Sequence, residues 1–97
     1  MLRSHNRRGG ERVVLHARSV SPENAPRLAV VASRRVGSAV ARNRAKRLVR
    51  EAARGLGWKR GTDIVVVARR ECAGSRAQEV AAELAVLGQA LDVIEDP

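Results

Sequence analysis

From Ser38 to Gly55 the apolar residues fall on one side of a helix and the cations on the other, a segregation that restricts the fold more than any other feature of the chain. With Arg42 set at 0° and about 100° per residue, Arg42, Lys46, Arg50, Asn43, Arg54 and Arg47 fall in that order between about 0° and 140°, and Arg44 follows near about 200°. Leu48, Ala41, Ala52, Ala45, Leu56 and Val49 fill roughly 240° to 340°. A helix divided in this way must lay its apolar side on another element. Ser38 is placed to cap the exposed amides at its start, and Gly55 or Gly57 to end it.

Three apolar stretches are available to receive that side. Arg12 to Val20 alternates, with Val13, Leu15 and Ala17 opposed to Arg12, His16 and Arg18, as a half-buried strand does. Ser21 to Pro26 is a turn cluster, and Leu28 to Ser33 reads as a second strand expected to form a hairpin with the first. Asp63 to Ala68 is too apolar to alternate and is expected to be a central strand with both faces covered. Ser75 is expected to cap a last helix reaching about Leu91, with Val80, Leu84, Leu87 and Leu91 turned to the sheet.

The predicted fold class is therefore α+β, an α/β sandwich in the order β-β-α-β-α, as a single domain over residues 1–97. Residues 1–11, basic and ending near Gly9-Gly10, are expected to be a mobile arm, and residues 92–97 an acidic tail. With no Phe, no Tyr and one Trp, the core has to be built from Val, Leu, Ile and Ala.

Charge locates the working surface. Residues 1–60 carry 16 basic and 3 acidic side chains, residues 61–97 carry 3 basic and 7 acidic, and 17 of the 19 cations are Arg. A field of that sign and density attracts a polyanion, and guanidinium pairs bidentately with phosphate. A merely solubilising helix face interleaves both signs. Here Glu51 is the single acid among five Arg and one Lys between Arg42 and Arg54, although like charges one turn apart cost helix stability. Arg42, Lys46, Arg50 and Arg54 form a row spaced about 6 Å per step, close to the spacing of successive phosphates. Asn43 adds a neutral donor and acceptor suited to a base edge or a 2′-hydroxyl.

Other classes fit poorly. The longest apolar runs are five residues, Leu28 to Ala32 and Ile64 to Ala68, far short of a membrane span. Cys72 is alone, so no intrachain disulfide forms and a cytoplasmic setting is expected. Scattered carboxylates, one Cys and the distant His5 and His16 suit neither a nuclease centre nor a zinc site, so no catalytic and no metal-ligating residue is assigned. Gly57 to Gly61 lacks the Lys-Ser or Lys-Thr of a nucleotide loop, and no small-molecule substrate is expected. Trp58 can stack on a base but reads first as the closing residue of a core edge.

Leu28-Ala29-Val30-Val31-Ala32-Ser33-Arg34-Arg35-Val36-Gly37-Ser38-Ala39-Val40-Ala41-Arg42-Asn43-Arg44-Ala45-Lys46-Arg47-Leu48-Val49-Arg50-Glu51 strongly resembles the signature of the bacterial ribonuclease P protein component: a Ser, two basic residues, Val-Gly, Ala-Val-x-Arg-Asn-Arg-x-Lys-Arg and a closing Arg-Glu. Gly61 to Arg69 is similar to the family's following strand, and the resemblance spans roughly Val13 to Leu91. It implies a small sandwich with a left-handed β-α-β crossover that binds ribonuclease P RNA and assists removal of the 5′ leader from precursor tRNA. The RNA carries the catalysis with bound Mg²⁺, and none is expected on the protein. The implied RNA-binding residues are Arg34, Arg35, Arg42, Asn43, Arg44, Lys46, Arg47, Arg50 and Arg54. The family's N-terminal helix, whose Phe residues help line a leader cleft, has no counterpart in the roughly twelve residues before the first strand. Arg12, His16 and Arg18 are the nearest substitutes for leader contact. The alternative reading is a ribosomal-type or architectural nucleic-acid-binding module with no processing role.

Overall fold

The computed structural model describes residues 6–95. Its strands are β1 (Asn6–Gly9), β2 (Val13–Ser19), β3 (Arg27–Ala32) and β4 (Thr62–Ala68); its helices are α1 (Ala39–Arg54) and α2 (Ala77–Ala90), with 3-10 turns at Arg34–Val36 and Arg70–Gly74. The sheet order is β1-β2-β4-β3, with β2 antiparallel to both its neighbours and β3 parallel to β4.

The expected hairpin between the first two apolar strands does not form, because β4 enters between β2 and β3. Its apolar run gains a hydrogen-bonded neighbour on each side in that place. The register also sets Asp63 opposite both Arg18 and Arg27, so one carboxylate lies between two cations. The Ser21 to Pro26 turn passes over the head of β4: the Val20 N–H donates to the Gly61 carbonyl and the Gly61 N–H to the Asn24 carbonyl, both at 2.8 Å. Gly61 has φ +76°, and a Cβ there would lie 2.8 Å from Pro22 Cα, so only glycine fits this crossing.

The two helices cover one face of the sheet. Val13, Leu15 and Ala17 of β2 and Ile64, Val66 and Ala68 of β4 are buried beneath Ala45, Val49, Ala52 and Ala53 of α1 and Val80, Leu84 and Leu87 of α2. Full burial of side chains such as Leu15, Ile64 and Leu84 contributes about 1.5–3 kcal/mol each. Helix α1 begins where the pattern places it, with Ser38 Oγ accepting the Ala41 N–H at 3.2 Å, and it ends at Gly55.

Four local expectations are corrected by contacts made at a distance. Among the described residues no helix lies over the second face of β4, and Val65 and Val67 are only half-buried. Asn6–Gly9 is not a loose arm; its backbone pairs with the outer edge of β2, whereas Met1 to His5 lie outside the described residues. The acidic end is anchored by its apolar members. Val93 is fully buried, Ile94 bridges to Trp58, and the Glu95 N–H donates to the Gly57 carbonyl at 2.7 Å; Asp96 and Pro97 lie outside the described residues. Ser75 does not cap α2, because its Oγ donates to the Glu71 carbonyl and accepts from Arg12 Nε, both at 2.8 Å. Arg76 takes the capping position, and the Glu79 carboxylate accepts its N–H at 2.8 Å. Among the described residues no helix is long and apolar enough to cross a membrane.

Candidate nucleic-acid interface

The side of α1 turned away from the sheet carries Arg42, Asn43, Arg44, Lys46, Arg47, Arg50 and Arg54; Arg42 and Lys46 are half-buried and the others exposed. Arg34 and Arg35 extend this surface beyond the start of the helix. They stand on the 3-10 turn that Ser33 caps, its Oγ accepting the Arg35 N–H at 3.3 Å, while the buried Val36 fastens the turn to the core. Among the described residues no carboxylate forms an ion pair with any of these eight cations. Glu51, the one acid of the helix, pairs with none of them, so the stripe keeps a strongly positive field.

Two of its guanidinium groups are braced by backbone carbonyls. Arg42 Nη1 donates to Gly37 at 3.3 Å, and Arg44 Nε donates to Ala73 at 2.9 Å, across to the second 3-10 turn. Each uses one N–H in this way and keeps the rest of its donor fork for a ligand. A guanidinium already held in place loses less rotamer freedom on binding.

Arg12, His16 and Arg18 do not share one surface. His16 and Arg18 stand on the uncovered sheet face, with Arg7 opposite His16 on β1. Arg12 breaks the alternation: its guanidinium turns to α2, at 3.2 Å from Glu83, 3.3 Å from Glu79 and 2.8 Å from Ser75 Oγ. The cause is Glu83, which also accepts the backbone N–H groups of Arg12 and Val13 at 2.8 and 2.9 Å and draws the start of β2 to the helix.

The uncovered face is an apolar floor, Ala29, Val65 and Val67, with a charged row at one end. Arg18 lies 3.1 Å from Asp63, and Arg27 reaches the same carboxylate through Nε at 2.9 Å and Nη2 at 2.7 Å. The Arg27 hydrogen bonds, assisted by Arg18, hold the Asp63 carboxyl well down, at about 2. Sequence reading missed Arg27 and Arg7 as neighbours of His16 and Arg18. Alternation within β3 marks Arg27 as facing the same way as Ala29, but only the insertion of β4 brings it to the same hollow as Arg18.

Among the described residues no group of three or more His, Cys, Asp or Glu side chains is placed to hold a metal ion. Cys72 is fully buried, and burial pushes its thiol up to about 11. Trp58 is half-buried at the end of α1, its indole N–H donating to the Ala53 carbonyl at 3.0 Å.

Residues 1–92 match the family model described as Ribonuclease P. Over 54 residues the chain is 46% identical to the ribonuclease P protein component of two strains of Dehalococcoides mccartyi, a stretch that covers 56% of this chain and 45% of each relative's length. The RNase P protein from Thermotoga maritima superposes with a TM-score of 0.72 at 29% identity, over 88% of this chain and 83% of that one. The Staphylococcus aureus RNase P protein shares the fold, with a TM-score of 0.74 at 22% identity over 94% of this chain and 84% of that one. The Arg-Asn-Arg helix, the mixed four-stranded sheet and these matches lead to one assignment: the chain belongs to the ribonuclease P protein family.

Proposed function

We propose that this chain is the protein subunit of ribonuclease P, acting in the cytoplasm. It binds the catalytic RNA through α1 and the Arg34–Arg35 turn, and it assists endonucleolytic removal of the 5′ leader from precursor tRNA. The observation that carries the reading is the unpaired stripe: eight cations and Asn43 on one surface, with no ion pair to any of the eight among the described residues. Folding RNA brings phosphates together at a Coulombic cost, and a rigid row of cations one helical turn apart offsets that cost along a backbone. The braced Arg42 and Arg44 set the register, and Asn43 between them is the side chain able to read a 2′-hydroxyl or base edge.

The protein's part in the reaction is binding and positioning. Mg²⁺ is assigned to the RNA in this reading; Glu79, Glu83 and Asp63 of the protein are engaged with arginines. His16 and Arg18, with Arg7 and Arg27 beside them, offer an apolar floor and a basic border to the single-stranded leader of precursor tRNA. Arg12, occupied by Glu79 and Glu83, contributes by fixing the start of β2 and not by reaching the leader.

The test is the rate of 5′-leader removal by the cognate ribonuclease P RNA at low Mg²⁺, with and without this chain. A clear acceleration is expected. Tight, salt-sensitive RNA binding with no acceleration would instead leave a nucleic-acid-binding module without a processing role.

A further inference from the structure

Where the free edge of β3 meets the end of α1, the surface sinks into a hollow of about 360 Å³ lined by Leu28, Arg50, Ala53, Arg54, Leu56 and Trp58. It lies at one end of the basic stripe and brings together two features of opposite character. Arg50 and Arg54, one turn apart, have no carboxylate partner among the described residues. Beneath them is an apolar wall containing the one aromatic side chain of the chain and Leu28, a large apolar residue 38% exposed on an edge strand.

Trp58 is held at two places. Its indole N–H is fixed to the Ala53 carbonyl at 3.0 Å, and its six-membered ring lies so close to Gly88 that a Cβ there would come within 3.3 Å of it. The ring is thus seated between the ends of both helices, and Trp58 lines the hollow from that fixed position. A planar apolar group joined to an anion is what such a site recognises, and an unpaired nucleotide combines the two. The volume lies in the range of small-ligand pockets. A base inside a duplex has no free face to offer.

We infer that this hollow receives one unpaired base of the RNA that follows α1, the base lying against Trp58 and Leu28 while Arg50 and Arg54 hold the adjoining phosphates. The inference rests on the α1 stripe being the RNA-binding surface. It adds to that surface a preference for single-stranded RNA at its C-terminal end.

Trp58 is the only Trp and there is no Tyr, so the intrinsic fluorescence of the full chain reports this hollow alone. The chain is titrated with an end-labelled single-stranded oligoribonucleotide and with a duplex of the same sequence, following label anisotropy for binding and Trp58 emission for stacking. The single strand is expected to quench Trp58 by about half, with little quenching by the duplex, and Leu28→Ala to weaken single-strand binding about threefold or more while leaving duplex binding unchanged. Leu28 is exposed, so this variant avoids the folding defect that loss of Trp58 itself invites. Binding of the single strand with unchanged Trp58 emission and equal affinity of Leu28→Ala overturns the hollow as a base site and leaves the stripe intact. Absence of binding by either RNA at low salt overturns the stripe and the hollow together.

Discussion

Glu83 of α2 accepts both the backbone N–H of Arg12, at 2.8 Å, and its guanidinium, at 3.2 Å, across 71 positions of sequence. The Val13 N–H goes to the same carboxylate at 2.9 Å. This contact ties the beginning of β2 to the last helix and withdraws Arg12 from the nucleic-acid surface. Glu83→Ala leaves two amides without their acceptor and takes one carboxylate from the Arg12 guanidinium, which keeps Glu79 and Ser75, and should lower stability by about 2 kcal/mol or more, with Glu83→Gln intermediate because it keeps one oxygen acceptor. Thermal or urea unfolding followed by circular dichroism measures it, and a loss below about 0.5 kcal/mol would show that the clamp is dispensable.

The crossing at Gly61 makes a sharper prediction about topology. Gly61→Ala places a methyl group 2.8 Å from Pro22 Cα at a φ of +76° and should cost about 1–3 kcal/mol. Gly55→Ala is the control, since nothing lies within 4 Å of a Cβ at that position and its φ is −86°. It should change stability by no more than about 0.5 kcal/mol. Equal effects of the two substitutions would contradict the crossing turn.

Arg44→Ala combined with Arg47→Ala should weaken RNA binding and reduce the slope of log affinity against log salt by about one to two units. Arg44 also braces the second 3-10 turn through the Ala73 carbonyl, so Arg47→Ala with Arg50→Ala is the companion variant that removes charge without touching that brace. Both pairs are expected to flatten the slope similarly. Unchanged affinity in both, with the fold retained by circular dichroism, would move the interface away from α1.

Asp63 gives the pH dependence. Its carboxyl drops from an ordinary value of 3.8 to about 2 in the folded chain, first through the hydrogen bond from Arg27. A depressed folded value means that the ionised group's contribution to stability is present in full above about pH 4 and is lost as pH falls through about 2. Asp63→Asn should therefore be less stable than the parent at neutral pH, with the gap closing by pH 2. A gap that stays constant across that range would assign the effect to packing and not to the ionised carboxylate.

Cys72 should be inert in the native chain. Its thiol is fully buried, pushed up to about 11 chiefly by burial, and its Sγ lies 3.9 Å from the Ala45 carbonyl. At pH 8 a thiol reagent should label it only as fast as the protein opens, so that mild urea accelerates labelling in step with unfolding. Rapid labelling in the native buffer would contradict the burial.

Helix α1 could be read directly from the chain, with its cap at Ser38, its end at Gly55 and the division of Arg42, Asn43, Lys46, Arg47, Arg50 and Arg54 from Ala45, Val49 and Ala52. These depend on intervals of three and four residues, which a one-dimensional pattern contains. The strands at Val13–Ser19, Arg27–Ala32 and Thr62–Ala68 were legible for the same reason, through alternation or continuous apolar character. Their order was not. Only folding places β4 between β2 and β3, turns Arg12 to Glu83, pairs Asn6–Gly9 with β2 and sets Ile94 against Trp58. Each is a choice between partners far apart in the chain, decided by which pairing leaves the fewest amides and charges unsatisfied and the least apolar surface in water, and no local period records that comparison.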